Sequence, residues 1–188
     1  MALVNLTEGQ INKIQIDEGI VVMNLGELTE KIIGPTRGGA ELVITPTIRD
    51  IEYDGRMGKT KGLQVKDGED VTLTINTLDC SQDMLMVALP GSTIDATTKK
   101  ITQGSFGVIA DANYLTNVAV ITKMLDGTFK IITLMNPMHE GAFTYKGVSK
   151  AENEHNLQFI GHYNPLNSSE KIWTIAESTT NPLVDGSI

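Results

Sequence analysis

Between Val71 and Thr77 apolar residues hold the odd positions Val71, Leu73 and Ile75, and polar Thr72, Thr74 and Asn76 hold the even ones. Side chains of a strand point alternately to its two faces, so this stretch predicts a half-buried strand with one wet face. Residues 41–53 form the longest pattern of this kind. Leu42, Ile44, Pro46 and Ile48 share one face; then the phase slips, and Ile51 and Tyr53 fall on the other. A slip in a run that contains proline predicts a bulge or an edge strand bending from its partner. Residues 19–24 hold a short apolar run, Ile20-Val21-Val22-Met23. Two more runs, 118–125 and 128–135, are joined by Asp126-Gly127, a hairpin signal of the type I′ kind, and Pro137 ends the second. Residues 142–148, 156–162 and 171–177 predict three further strands, the last carrying Trp173.

One segment switches to helical spacing. Met84, Leu85, Ala88 and Leu89 form an apolar stripe, and Pro90-Gly91 stops it. Asp79 or Ser81 can cap its start, and Gln82 stands three residues after Asp79 as in a capping box. The stripe fits packing against a sheet, with Met84 and Met86 as gap-fillers. Residues 92–100 are a polar connector, and 101–115 carry glycines and polar breaks without a sustained period. About eight strands, one helix and many glycine turns predict a mainly β fold, an antiparallel β-sandwich or barrel with one flanking α-helix. The expected organisation is a single domain over residues 1–188, with an N-terminal arm over about 1–18 and a C-terminal tail over about 178–188 that lies loose or docks on a neighbour.

The length of 188 residues suits one domain with a sound core. No apolar run approaches the roughly 18 residues of a membrane span. The start, Met1 to Glu8, lacks the basic end and apolar core of a secretory signal. One cysteine, Cys80, excludes a disulfide framework. The net charge of −8 argues against binding nucleic acid through its phosphates, and equally suits a surface past which DNA must slide without sticking.

The chemical inventory is thin. Gly58-Lys59-Thr60 ends like a P-loop, but the required earlier glycine is Tyr53, and a strand-like run rather than a helix follows. His155 and His162, seven residues apart, fall on opposite faces of one strand, poor geometry for a shared metal. His139 sits in a turn, and a pairing of a histidine with Cys80 is conceivable, although a structural cysteine beside a helix cap fits better. No zinc or hydrolase motif is present, and no cofactor is expected. Two charged features stand out. Residues 54–62 (Asp54, Gly55, Arg56, Met57, Gly58, Lys59, Thr60, Lys61, Gly62) form a glycine-hinged loop with three cations against one acid, basic within an acidic chain and suited to an acidic surface such as another copy. Asp50, Glu52 and Asp54 alternate with Ile51 and Tyr53 and form a candidate acidic face.

The block from Gly34 to Leu78 resembles the corresponding stretch of major tail (tail tube) proteins of long-tailed bacteriophages and prophages. The resembling features are the approach Gly34-Pro35-Thr36-Arg37-Gly38-Gly39, then Ile48-Arg49-Asp50-Ile51-Glu52-Tyr53-Asp54-Gly55, then Val71-Thr72-Leu73-Thr74 before the helix. It covers about a quarter of the chain, in motifs that encode turns and strands rather than a catalytic signature. The resemblance implies a non-enzymatic virion protein, related in fold to type VI secretion tube proteins. It would form six-fold rings that stack into a hollow tail tube for genome passage. Implied partners are further copies of itself and the tail's initiator, tape-measure and terminator proteins. DNA would pass without specific binding, no membrane is involved, and assembly would occur in the bacterial host cytoplasm. The resemblance makes residues 54–62 an inter-subunit loop and suits Asp50, Glu52 and Asp54 to a DNA-repelling lumen. The alternative is a monomeric β-sandwich module that binds or decorates a virion or secretion apparatus; ring formation separates the two.

Overall fold

The computed structural model describes residues 5–17, 19–147, 149–167 and 169–183. In chain order its elements are α1 (Glu8–Ile11), β1 (Ile20–Met23), β2 (Lys31–Ile32), β3 (Thr36–Asp50), β4 (Gln64–Thr77), α2 (Gln82–Ala88), β5 (Thr93–Ile94), β6 (Ile101–Thr102), a 3-10 turn at Asp111–Asn113, β7 (Asn117–Lys123), β8 (Phe129–Met135), β9 (Met138–His139), β10 (His155–Ile160) and β11 (Trp173–Ser178). Two antiparallel sheets face each other. One has the order β11-β8-β7-β1-β2 and the other β3-β4-β10-β9, while β5 and β6 pair apart. The fold is mainly β, a sandwich with one flanking helix.

The alternation over residues 71–77 is what builds the core. Val71, Leu73 and Ile75 are buried, and Leu73 and Ile75 pair across with Phe159 and Leu157 of β10, which are sealed as well. They meet Val118 and Val120 of β7, Leu134 of β8 and Val21 and Met23 of β1 from the facing sheet. Helix α2 adds Met84 and Ala88 to the same cluster. Ser81 is its N-cap, accepting from the Met84 amide at 3.4 Å, while Asp79 accepts from the Ser81 amide at 2.8 Å. Asp79 therefore closes the turn before the helix, and Ser81 starts it. The outer face of the five-stranded sheet is covered in part by Leu183, which packs on Val22 and Ile121. The tail expectation falls partly on residues 184–188, outside the described residues; within it, Ser178 closes β11 and Leu183 is buried on its own chain. Of the N-terminal arm, residues 1–4 and Glu18 also lie outside the described residues. The rest carries α1 and a bridge from Gln15 to Met124.

Several local expectations are corrected. The phase slip in β3 does mark a bulge, between the pairs Thr47↔Gly68 and Ile48↔Lys66, but the extra residue is Asp67 of β4. Strand β3 ends at Asp50 rather than Tyr53, and begins earlier, across a wide irregularity between Thr36 and Ala40 where Gly38 and Gly39 hold φ of 79° and 76°. The Asp126-Gly127 hairpin forms, but not with a two-residue type I′ loop. The Gly127 amide reaches the Met124 carbonyl at 3.0 Å and Met124 then pairs with Thr128, so only Gly127, at φ 86°, takes the left-handed conformation. Of the strand expected over 142–148, residues 142–147 form none, and Val148 lies outside the described residues. Phe143 and Tyr145 lie instead against the His155 ring, and the Thr144 carbonyl lies 3.3 Å from His155 Nδ1. The Thr144 carbonyl thus meets a side chain instead of a ladder partner.

Candidate assembly surface

Strands β3 and β4 form one long hairpin, and its far half leaves the sandwich. Ile44↔Val71 is the last pair with a fully buried member; six more pairs, Thr45↔Asp70 to Asp50↔Gln64 with the bulge between them, run on beyond it. At about 3.4 Å per residue that is roughly 20 Å of projecting ribbon. Its exposed apolar residue Ile48 is 55% accessible, and Pro46 and Thr47 are exposed too. The base of the ribbon is fixed across the sandwich. The Trp173 indole Nε1–H of β11 donates to Glu69 at 2.9 Å, and Lys66 pairs with the same carboxylate. Those two donors, Lys66 first, hold the Glu69 carboxyl below its ordinary value. Arg49 and the bulged Asp67 pair at 2.9 Å on the ribbon's surface.

All nine residues of the expected loop, Asp54 to Gly62, lie in the connection between β3 and β4. The Ile51 amide donates to the Leu63 carbonyl at 2.8 Å and closes its neck. Gly55 and Gly62 take φ of 88° and 85°, a conformation that side chains resist, so both turns need glycine. The three cations separate into two kinds. Arg56 folds back, 79% of its side chain covered, onto Asp50 at 3.2 Å and Glu52 at 3.8 Å. Lys59 and Lys61 are exposed. Met57 at the tip is fully exposed. Thr60 is followed by strand β4 and no helix opens after Gly58-Lys59-Thr60.

Of the candidate acidic face, only Asp50 sits in the strand; Glu52 and Asp54 lie in the loop. Asp50 accepts from the Gln64 side-chain amide at 2.8 Å, and that bond, then Arg56, holds its carboxyl below its ordinary value. Asp50 and Glu52 thus form a charge-paired corner around Arg56. Sequence reasoning placed the basic loop and the acidic residues side by side but could not show that Arg56 joins them.

The histidines are dispersed, and among the described residues no group of three or more His, Cys, Asp or Glu could hold a metal. His155 is buried with Nε2 3.2 Å from Cys80 Sγ, so the thiol, itself exposed, meets His155 rather than His139. His162 Nε2 lies 2.8 Å from Glu140. Among the described residues no helix is long and apolar enough to cross a membrane. The sequence matches no protein-family model and no curated protein. Among solved structures, the chain is similar to one of the virion of a native gene transfer agent particle, with 11% identity, 87% of this chain and 99% of that one covered, and a TM-score of 0.47. It is also similar to a chain from the tail of an empty gene transfer agent particle refined with C6 symmetry, with 9% identity, coverage of 87% and 96%, and a TM-score of 0.39.

His139 supplies a pH test of the fold. Burial pushes its pKa below the ordinary 6.5. The unfolded chain therefore takes up a proton near 6.5 that the folded chain takes up only at lower pH. Stability is complete above that value and declines as pH falls from it toward the folded pKa. The urea midpoint is expected to drop between pH 7.5 and 5.5, and His139→Gln to remove part of that drop; an equal drop in both proteins rules out His139 as a source.

Proposed function

We propose that this chain is a structural virion subunit that self-assembles into six-fold rings, which stack into a hollow phage tail tube for genome passage. The observation that carries this reading is the β3–β4 ribbon. A sandwich with a finished core extends roughly 20 Å of hairpin into solvent and tips it with Met57, Lys59 and Lys61. Such an element adds little to its own apolar core, since none of its side chains beyond the Ile44↔Val71 pair is fully buried. It fits contact with another subunit. The resemblance over Gly34 to Leu78 points the same way, since that block is this ribbon and its approaches. In this reading residues 54–62 bridge subunits, and the net charge of −8 keeps DNA from adhering to the tube. The subunit acts by geometry alone and needs no cofactor.

The test is negative-stain electron microscopy of concentrated protein, read beside its elution size. Rings or hollow tubes are expected. A monodisperse monomer at every concentration, with no tubes even when tail initiator components are supplied, overturns the reading in favour of a monomeric decoration module.

A further inference from the structure

Strand β4 ends at Thr77, and the turn after it is tied down bond by bond. The Leu78 amide donates to the Pro35 carbonyl at 2.8 Å, the Asp79 amide to Thr77 Oγ1 at 3.0 Å, and the Ser81 amide to Asp79 Oδ1 at 2.8 Å. These bonds fix the place of Cys80, whose side chain is exposed. Strand β10 starts opposite, at the pair His155↔Thr77, and brings the His155 ring beside the thiol, with Nε2 3.2 Å from Sγ.

The surroundings set the state of that ring. His155 is only 2% accessible. Phe143 stacks on it, with centroids 5.3 Å apart, and Tyr145 lies against it at 5.7 Å. Nδ1 lies 3.3 Å from the Thr144 carbonyl, an oxygen that can only accept, so Nδ1 carries the proton of the neutral ring. The lone pair of Nε2 is then open, and among the described residues its one partner is the Cys80 thiol. Sγ also lies 3.6 Å from the Leu78 carbonyl. A carbonyl can hold an S–H but cannot take its proton, whereas an imidazole nitrogen can. The flanking acids are engaged elsewhere: Asp79 on the Ser81 amide, and Glu154 on Arg37 at 3.1 Å.

Thiol, imidazole and carbonyl thus stand in the order of nucleophile, base and orienting group. A cysteine that served packing alone would be sealed with its partner. Here the sulfur is open to solvent, and the base behind it is shielded.

We propose that Cys80 is a covalent modification site for low-molecular-weight disulfides, with His155 as its base and the Thr144 carbonyl holding that base in place. Sγ attacks one sulfur of the disulfide while the thiol proton passes to His155 Nε2. The old S–S bond breaks as the new one forms. The Cys80 sulfur is oxidised, and the departing half is reduced to a thiolate that takes the proton from His155. The imidazolium present between these steps keeps Nδ1–H on the Thr144 carbonyl and lies against two aromatic rings, an arrangement that favours a cation. The reaction occurs once per subunit. It uses no residue of the projecting ribbon and does not depend on the tube reading.

The test follows the reaction of the full chain with dithiodipyridine, an uncharged disulfide whose released thiopyridone is read by absorbance. Rates are taken at pH 6 and pH 9 for the native protein, for the same protein unfolded in urea, and for His155→Gln. At pH 6 the native protein is expected to react about ten-fold faster than His155→Gln, within what a positioned base contributes. At pH 9, where solvent hydroxide serves any thiol, the two should converge. Equal rates at pH 6 overturn the proposal. A variant slower by the same factor at both values also overturns it, because His155 then only keeps the thiol accessible. Should His155→Gln not fold, the native and urea-unfolded rates decide. Their ratio is expected to be about ten-fold higher at pH 6 than at pH 9, and a ratio that does not change with pH overturns the proposal.

Discussion

The double variant Lys59→Glu/Lys61→Glu is expected to raise the concentration needed for tube assembly at least ten-fold and to leave the fold unchanged. Each substitution removes a positive charge and adds a negative one, so the net charge moves from −8 to −12. Both side chains are exposed, beyond the last ladder pair, Asp50↔Gln64. Surface changes of this kind alter stability by no more than about 0.5 kcal/mol. At the contact the change converts attraction toward an acidic surface into repulsion, which costs several kcal/mol where charges meet closely. Arg56 must stay. Arg56→Glu would set a carboxylate against Asp50 and Glu52 and disturb the loop itself, confusing a contact effect with a structural one. Sedimentation across a concentration series, at low salt and at 0.15 M, is the measurement. Salt should weaken wild-type assembly, because a Debye length near 8 Å screens exposed charges. Assembly of the double variant at the wild-type concentration removes the loop from the subunit contact.

The local features of this fold were legible where a single period governed them. The burial of Val71, Leu73 and Ile75 follows the alternation residue by residue, because one face of β4 meets the core and the other meets solvent. The Met84 and Ala88 stripe and the Asp126-Gly127 turn were legible for the same reason: each is set by neighbours a few residues away. The two-residue strands β2, β5, β6 and β9 are too short to carry a period. Residues 142–147 show the opposite failure. Phe143 and Tyr145 have strand-like spacing, yet their partner is the ring of His155 and not a neighbouring strand. The candidate loop was legible as a basic, glycine-hinged connection. Its organisation was not, because it depends on the return of Arg56 to Asp50 and on the Trp173 to Glu69 bond, which joins residues 104 apart. Nothing in the local sequence of His139 signals its burial against the Gln158 backbone, which comes from another element.

Phe159→Ala is expected to destabilise the fold by about 3–5 kcal/mol, the usual cost of truncating a sealed phenylalanine. Phe159 is fully buried in β10, paired with Leu73 on one side and His139 on the other. Its ring meets that of His139 edge-on, with centroids 6.4 Å apart. It also lines a cleft of about 160 Å³ bordered by Met86 and Val87 of α2 and by Met138 and His139 of β9. The cavity left by alanine would join the existing space, so little of the lost packing is recovered. Against a net stability of about 5–15 kcal/mol for a typical domain, this is a large fraction. For a chain of this length it corresponds to a fall in Tm of roughly 6–20 °C. Phe159→Leu, which keeps most of the volume, should cost less than about 1.5 kcal/mol. The pair of variants separates two ways of losing assembly. Phe159→Ala should lose it together with Tm, whereas Lys59→Glu/Lys61→Glu should lose it with Tm unchanged. A Phe159→Ala protein that melts within 2 °C of wild type would place the main core elsewhere than between β4, β10 and the facing sheet.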